Sequence, residues 1–257
     1  MICAGIDAGS RSIKVLLMEA ETLRPIGWDV CDQGVRQDAL ACELFHGLLA
    51  RHHLASGDIT RTVGSGYARN ALSLADITIT EITCHAVGVR HGAPDARTVI
   101  EIGGQDSKLI RLSPEGVVHD FAMNDRCAAG TGRFLEVLAG RLNAPLDELG
   151  ELAARSRQPA GISSMCVVFA ETEIIGLLAS GTAREDIVAG IQAAIASRVS
   201  AMAGGKLTGP VYFTGGVAMV PGMARALGTA LGQEVAVCDQ PQFTGALGAA
   251  LLACRGV

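Results

Sequence analysis

Aromatic side chains are scarce in this chain: one Trp, two Tyr and six Phe among 257 residues. That leaves little for stacking on nucleic-acid bases. No run of Lys or Arg occurs and the net charge is −5, which argues against a nucleic-acid partner. No window of about 18 apolar residues escapes a charged interruption, so no membrane span is expected. The opening "MICAGIDAGS" has no basic stretch, and Asp7 breaks its apolar run, which argues against a secretory signal and for a cytoplasmic protein. Cysteines stand at positions 3, 31, 42, 84, 127, 166, 238 and 254 with no CxxC pair. A zinc or ferredoxin pattern within one chain is therefore missing, and the thiols read as reduced side chains or metal ligands. No GxxxxGKS/T is present and no GxGxxG follows a strand, which removes the P-loop and Rossmann readings.

What is present is 49% hydrophobic residues and 32 Gly, a composition suited to an α/β protein of one or two domains. Two segments resemble each other. "GIDAGSRSIKVLL" (5–17) and "VIEIGGQDSKLIRL" (99–112) share an acid, a glycine turn and a lysine followed by apolar residues. Asp7 matches Glu101, Gly9 matches Gly103, Ser10 matches Gly104, and Lys14 matches Lys108. Each segment reads as strand, tight glycine turn, strand, with turn backbone open to a ligand. The domain-sized offset predicts two similar halves. A third element, "VYFTGGVAMV" (211–220), is an apolar strand ending in Gly-Gly and entering a helix, a turn suited to phosphate or nucleotide.

The pattern predicts strands near 2–7, 12–18, 25–31 and 60–64, with a helix over 36–53 and short helices near 67–74 and 83–91. The second half repeats three strands near 97–102, 107–112 and 117–122. Helices follow at 127–142, 147–155, 171–179 and 184–203, then a strand at 210–214, a helix at 220–231, a strand at 234–238 and a closing helix at 243–253. The architecture is α/β. No linker separates the halves, so they are expected to pack around a cleft.

"NDRCAAGTGRFLEVLA" (124–139) places a lone Cys127 ahead of an amphipathic helix, where a thiolate is favoured by the positive helix end. Taken alone, Cys127 reads as nucleophile, metal ligand or small buried residue. Asp125 reads as a cap for that helix. Gln105 and Asp106 lie on the second turn, suited to orient or deprotonate a water, or to activate a hydroxyl. Asp7 with Lys14 reads as a turn salt bridge or as phosphate-site chemistry, and the matching Glu101–Lys108 pair supports the latter. Cys84 beside His85 is read as packing.

With these residues in hand, the chain resembles the ATPase activators of 2-hydroxyacyl-CoA dehydratases, a family that includes ATP-binding subunits of benzoyl-CoA reductase. The marks run through the whole chain: "GIDAGSRSIK", "SGYARN", "EITCHAVG", "IGGQDSK", "MNDRCAAGTGRFLE", "SSMCVVFAETE", "GIQAAIASRV", "FTGGVA" and "TGALGAAL". The resemblance implies two ribonuclease H-like domains of the actin, Hsp70 and sugar-kinase type around a nucleotide cleft. Residues 1–96 with 242–257 are expected to form the first, and 97–241 the second. It implies ATP or ADP with Mg²⁺ held by Asp7, Gly9, Ser10, Ser12, Lys14, Gly103, Gly104 and Lys108, and nucleoside contacts at Thr214, Gly215 and Gly216. Thr131, Gly132 and Glu136 border the nucleotide, and Gln105, Asp106 and Asp7 are the catalytic candidates.

The resemblance further implies that Cys127 and Cys166 are ligands of a 4Fe-4S cluster. Two thiolates per chain satisfy such a cluster only in a homodimer, one cluster per pair of chains. The implied partners are an iron–sulfur dehydratase or reductase as electron acceptor and a donor such as ferredoxin or flavodoxin, with neither nucleic acid nor membrane. The sequence departs from the family in two places: Glu101 stands where Asp is common, and "AMVPGM" (218–223) replaces a polar, Asn-containing stretch. The rivals are a small-molecule kinase of the same fold with Asp106 as base, and a non-catalytic nucleotide switch or filament subunit of the actin type.

Overall fold

The computed structural model describes residues 1–124, 130–163, 166–205 and 207–256. They fall into two units: Met1–Ala96 with Leu112–His119 and Cys238–Val257, and Arg97–Arg111 with Asp120–Val237.

In the first unit, β1 (Ile2–Ala8) is buried from Cys3 onward, the continuous apolar reading of a central strand covered on both faces. It pairs antiparallel with β2 (Ser12–Glu19), which pairs with β3 (Arg24–Asp32). β3 has one face exposed, as an edge strand does. Helix α1 (Gln37–Arg51) packs Ala41, Phe45, Leu48 and Leu49 against this meander. β4 (Ile59–Ser65) then adds parallel to β1, and the two-residue β5 (Ile77–Thr78) parallel to β4, giving the order β3-β2-β1-β4-β5. Helix α2 (Glu81–Gly92) follows, with Thr80 as N-cap accepting from Thr83 N–H.

The second unit repeats the plan. β6 (Thr98–Ile102), β7 (Ser107–Leu112) and β8 (Val118–Asn124) form the meander, and β9 (Val211–Thr214) and β10 (Val235–Val237) complete the order β10-β9-β6-β7-β8. Between β8 and β9 run α3 (Gly132–Leu142), α4 (Leu149–Ala154), α5 (Val167–Ala179) and α6 (Arg184–Ala203), with α7 (Met223–Leu231) between β9 and β10. α3 buries Phe134, Leu135, Leu138, Ala139 and Leu142 at helical spacing in a core shared with Ile100, Phe213 and Ile195. The chain ends in α8 (Thr244–Cys254), which returns to the first unit.

Five expectations change, the first being that the helix expected at 171–179 starts earlier, at Val167. The helix expected from residue 127 starts at Gly132, because Gly130 sits at φ +85° and Thr131 is extended at φ −122°, ψ 177°. Thr131 rather than Asp125 therefore occupies its N-cap; Asp125 and Cys127 lie outside the described residues. The helix expected at 220–231 starts at Met223, since Gly222 at φ +91° follows Pro221. The short helix expected near 67–74 is one 3-10 turn, Arg69–Ala71, too few residues for a cooperative helix.

α8 is buried along nearly its whole length and crosses its neighbours at glycines. A methyl on Gly5 would lie 2.1 Å from the Ala246 carbonyl oxygen, one on Gly88 2.0 Å from that of Thr244, and one on Gly248 1.8 Å from that of Cys84. Backbone atoms leave no room to yield. Gly248→Ala is expected to destabilise the protein by about 2 kcal/mol or more. A urea midpoint unchanged from wild type would contradict this packing.

Candidate functional site

The two hairpins carry the same constellation. Asp7 and Lys14 are cross-strand partners, and Lys14 Nζ lies 3.3 Å from Asp7 Oδ2. The turn is closed by Gly9 N–H donating to the Ser12 carbonyl at 3.1 Å. Asp7 and Ser12 are buried, while Gly9 and Ser10 are half-buried. A methyl on Gly9 would stand 3.2 Å from both Lys14 Nζ and the Ser12 carbonyl oxygen, crowding the ammonium.

In the second unit Glu101 faces Lys108 in the same register. Lys108 is 3% exposed and donates to Glu101 Oε2 at 2.9 Å and to Asp106 Oδ2 at 2.5 Å. Burial disfavours the ammonium, but Glu101 and Asp106 more than offset it and hold its pKa above the ordinary lysine value. The extra methylene of Glu101 thus goes into a tighter ion pair than the one Asp7 makes. Asp106 is tied to Lys108, whereas Gln105 is exposed at the turn.

Helix α3 reaches this turn directly. Gly132 N–H donates to the Gly103 carbonyl and Arg133 N–H to the Gly104 carbonyl, each at 2.8 Å. A trans peptide sets its C=O and N–H in opposite directions, and no cis bond occurs among the described residues. The N–H groups of Gly104 and Gln105 therefore point away from α3, as a pair of donors suited to an anion. Gly132 lacks room for a side chain here, a methyl on it lying 3.1 Å from the Gly103 carbonyl oxygen.

The acids have a further shared neighbour that the sequence comparison missed. Asp7 pairs in register with Ser65 on β4, and Glu101 with Thr214 on β9. Each hydroxyl residue precedes a glycine at positive φ, Gly66 at +92° and Gly215 at +89°. A methyl on Gly66 would lie 2.5 Å from Asp7 Oδ1, and one on Gly215 2.8 Å from Glu101 Oε1. Ser65 and Gly66 are thus the first unit's counterparts of Thr214 and Gly215. The only local signal was a hydroxyl residue and a glycine closing an apolar strand.

The remaining candidates are placed individually. Thr131 is fully buried at the start of α3, and Glu136 pairs with Arg133 at 3.3 Å. Gly216 is exposed with open space around its Cα. In "AMVPGM" Ala218, Val220 and Met223 are buried in the core, while Met219 is 59% exposed. Cys166 is exposed as the N-cap of α5. Cys84 is buried among Cys3, Val63, Ala249 and Leu252, and burial pushes its thiol up to about 12.

The side chains differ in the ions they suit. Asp7 supplies hard carboxylate oxygens beside a phosphate-type turn, which fits Mg²⁺ held through water. An exposed cysteine at a helix start fits an iron–sulfur ligand. Among the described residues no three His, Cys, Asp or Glu side chains form a metal-holding group. None of the described helices is long and apolar enough to cross a membrane.

Paired five-stranded sheets of one topology, each with an acid–glycine–lysine hairpin, define a two-domain ATPase fold of the actin, Hsp70 and sugar-kinase type. A ROK family glucokinase from Streptomyces griseus shares that fold at a TM-score of 0.60 and 14% identity, covering 100% of each chain. Residues 4–253 match the BadF/BadG/BcrA/BcrD ATPase family, and the chain belongs to it. The activator of lactoyl-CoA dehydratase from Anaerotignum propionicum is 44% identical over 98% of this chain and 97% of its own length. The (R)-2-hydroxyglutaryl-CoA dehydratase activating ATPase of Acidaminococcus fermentans is 40% identical over 98% of this chain and 96% of its own. The solved activator of the 2-hydroxyisocaproyl-CoA dehydratase from Clostridium difficile, with bound ADPNP, superposes at a TM-score of 0.92 and 39% identity, covering 100% of this chain and 95% of that one.

Proposed function

We propose that this protein is an ATP-hydrolysing activator that passes a low-potential electron to an iron–sulfur dehydratase or reductase acting on an acyl-CoA. The observation that carries the ATPase half is the duplicated hairpin: Asp7–Lys14 and Glu101–Lys108, each with a glycine turn and a positive-φ glycine behind the acid. The electron-transfer half is supported by full-length relatives named as dehydratase activators. A sugar-kinase reading has only a fold likeness at 14% identity behind it.

Lys14 and the Ser10 and Ser12 hydroxyls of the first unit suit phosphate oxygens, and so, within the second unit, do the N–H groups of Gly104 and Gln105. Asp7 would hold Mg²⁺ through water, and the chemistry such an ion would supply there is neutralisation of phosphate charge. Gln105 orients the attacking water; its oxygen bonds to γ-phosphorus as the bond to the β-bridging oxygen breaks, releasing ADP and phosphate. Asp106, anchored by Lys108, receives the water's proton directly or through solvent. Cys127 and Cys166 of two copies supply four thiolates for one 4Fe-4S cluster, which would store the electron drawn from a ferredoxin or flavodoxin. Thr214, Gly215 and Gly216 line the nucleoside side.

Gln105→Ala is expected to lower kcat for ATP hydrolysis about 100-fold while the KM for ATP changes little, because an exposed water-orienting side chain acts chiefly in the transition state. A fall in kcat/KM carried by KM alone would reassign Gln105 to binding.

The reading as a whole is tested on protein purified without oxygen, by iron and sulfide content, mass in solution, and ATP-dependent reduction of an acyl-CoA dehydratase. A dimer with about two irons per chain that hydrolyses ATP and reduces the acceptor supports it. Protein that resists cluster reconstitution and phosphorylates a small alcohol instead would return the kinase reading.

A further inference from the structure

The ATPase reading leaves one buried polar contact unused. His85, on α2, is 5% exposed, and its Nδ1 lies 2.9 Å from the Oγ1 of Thr244, itself 2% exposed. Thr244 is the first residue of α8 and donates to the Pro241 carbonyl at 3.4 Å, leaving a lone pair for the Nδ1–H of His85. The next residue lies against Asp7. A methyl on Gly245 would lie 3.1 Å from Asp7 Oδ2 and 3.2 Å from His85 Cε1, so carboxylate, imidazole and helix start converge on one point.

Three glycine crossings, at Gly5, Gly88 and Gly248, hold α8 against β1 and α2, the Gly88 crossing lying at the Thr244 carbonyl. The His85–Thr244 bond adds the side-chain tie at its first turn, and that turn presents the positive end of the helix to Asp7. We infer that His85 is a positioning residue for Asp7: through Thr244 it sets the first turn of α8 beside the carboxylate that holds Mg²⁺. The inference rests on the ATPase reading and adds to it a second layer behind Asp7. Outer groups that orient a metal-holding carboxylate act on metal affinity more than on the chemical step once metal saturates.

The protein carries its own probe. The single tryptophan, Trp28, packs against Phe243 with ring centroids 6.2 Å apart, one residue before Thr244. Mg²⁺ is titrated into protein with ADPNP while Trp28 fluorescence is followed, and in parallel the Mg²⁺ dependence of ATP hydrolysis is measured. His85→Leu is expected to raise the half-saturating Mg²⁺ about tenfold or more, with hydrolysis recovering at high Mg²⁺. His85→Asn places an amide N–H where Nδ1–H stood and is expected to return the value close to wild type. Thr244→Val should reproduce the leucine variant and Thr244→Ser should not, which keeps the test open if His85→Leu fails to fold.

Unchanged Mg²⁺ dependence in His85→Leu and Thr244→Val, or an asparagine variant as defective as the leucine one, would overturn the assignment alone. Wild-type protein that neither responds to Mg²⁺ with ADPNP nor hydrolyses ATP would overturn the ATPase reading, and the assignment with it.

Discussion

Lys108→Met is expected to abolish ATP hydrolysis and to destabilise the protein by about 3–5 kcal/mol, the range for removing one partner of a buried ion pair. The loss is large because Lys108 and Glu101 have only 3% and 6% of their side chains exposed and share a 2.9 Å contact. Glu101 would be left charged next to Gly215 and Gly103, with no solvent to replace the ammonium. Asp106 would lose its 2.5 Å anchor and the turn its shape. Glu101→Gln combined with Lys108→Met should regain much of the stability, because no charge is stranded, yet no activity. A double mutant as unstable as Lys108→Met would show that packing rather than charge is at stake. Lys14→Met should cost less, since its contact with Asp7 is 3.3 Å and more exposed.

The pH dependence has a definite sign. The folded-state pKa of Lys108 is raised, so its contribution is complete below the unfolded value of about 10.4 and is lost as pH climbs through the folded one. The stability gap between wild type and Lys108→Met should therefore hold steady from neutral pH to about pH 10 and narrow above it. Urea titrations at pH 7, 9 and 11 measure that gap; one that shrinks already between 7 and 9 would mean Lys108 is not held as described.

Cys166→Ser is expected to take iron from about two atoms per chain to near none, because a four-thiolate cluster shared by two chains loses two ligands at once. Electron delivery to the acceptor should stop with it. The thiol is exposed at the start of α5 and sits outside the packed core, so the metal-free variant and metal-free wild type should share one circular dichroism spectrum and thermal midpoint. Cys127→Ser should lose iron equally. Iron retained in Cys166→Ser after reconstitution would remove Cys166 from the ligand set and with it the two-cysteine, two-chain arrangement.

Much of the fold was legible because it is locally encoded. Continuous apolar runs and glycine turns specify the two hairpins, and cross-strand geometry then brings Asp7 to Lys14 and Glu101 to Lys108 without help from the rest of the chain. The period of α3 and α6 likewise follows from which residues must be buried. Helix starts were less legible. The beginning of α3 depends on positive φ at Gly130 and on two hydrogen bonds to the Gly103–Gly104 turn, a partner far away in sequence.

The sequence by itself thus determined the paired hairpins, the acid–lysine partners, the α/β order and the family. Only the tertiary structure decided what each acid does with its surroundings. It tied Asp106 to Lys108 and left Gln105 exposed, turned the N–H groups of Gly104 and Gln105 away from α3, and revealed Ser65 and Gly66 as the counterparts of Thr214 and Gly215. It also brought His85 to Thr244 across 159 residues and set the next residue, Gly245, against Asp7. Strand pairing through a short turn is written in neighbouring residues, whereas contacts between α2, α8 and β1 arise only when glycines let distant backbones close on one another.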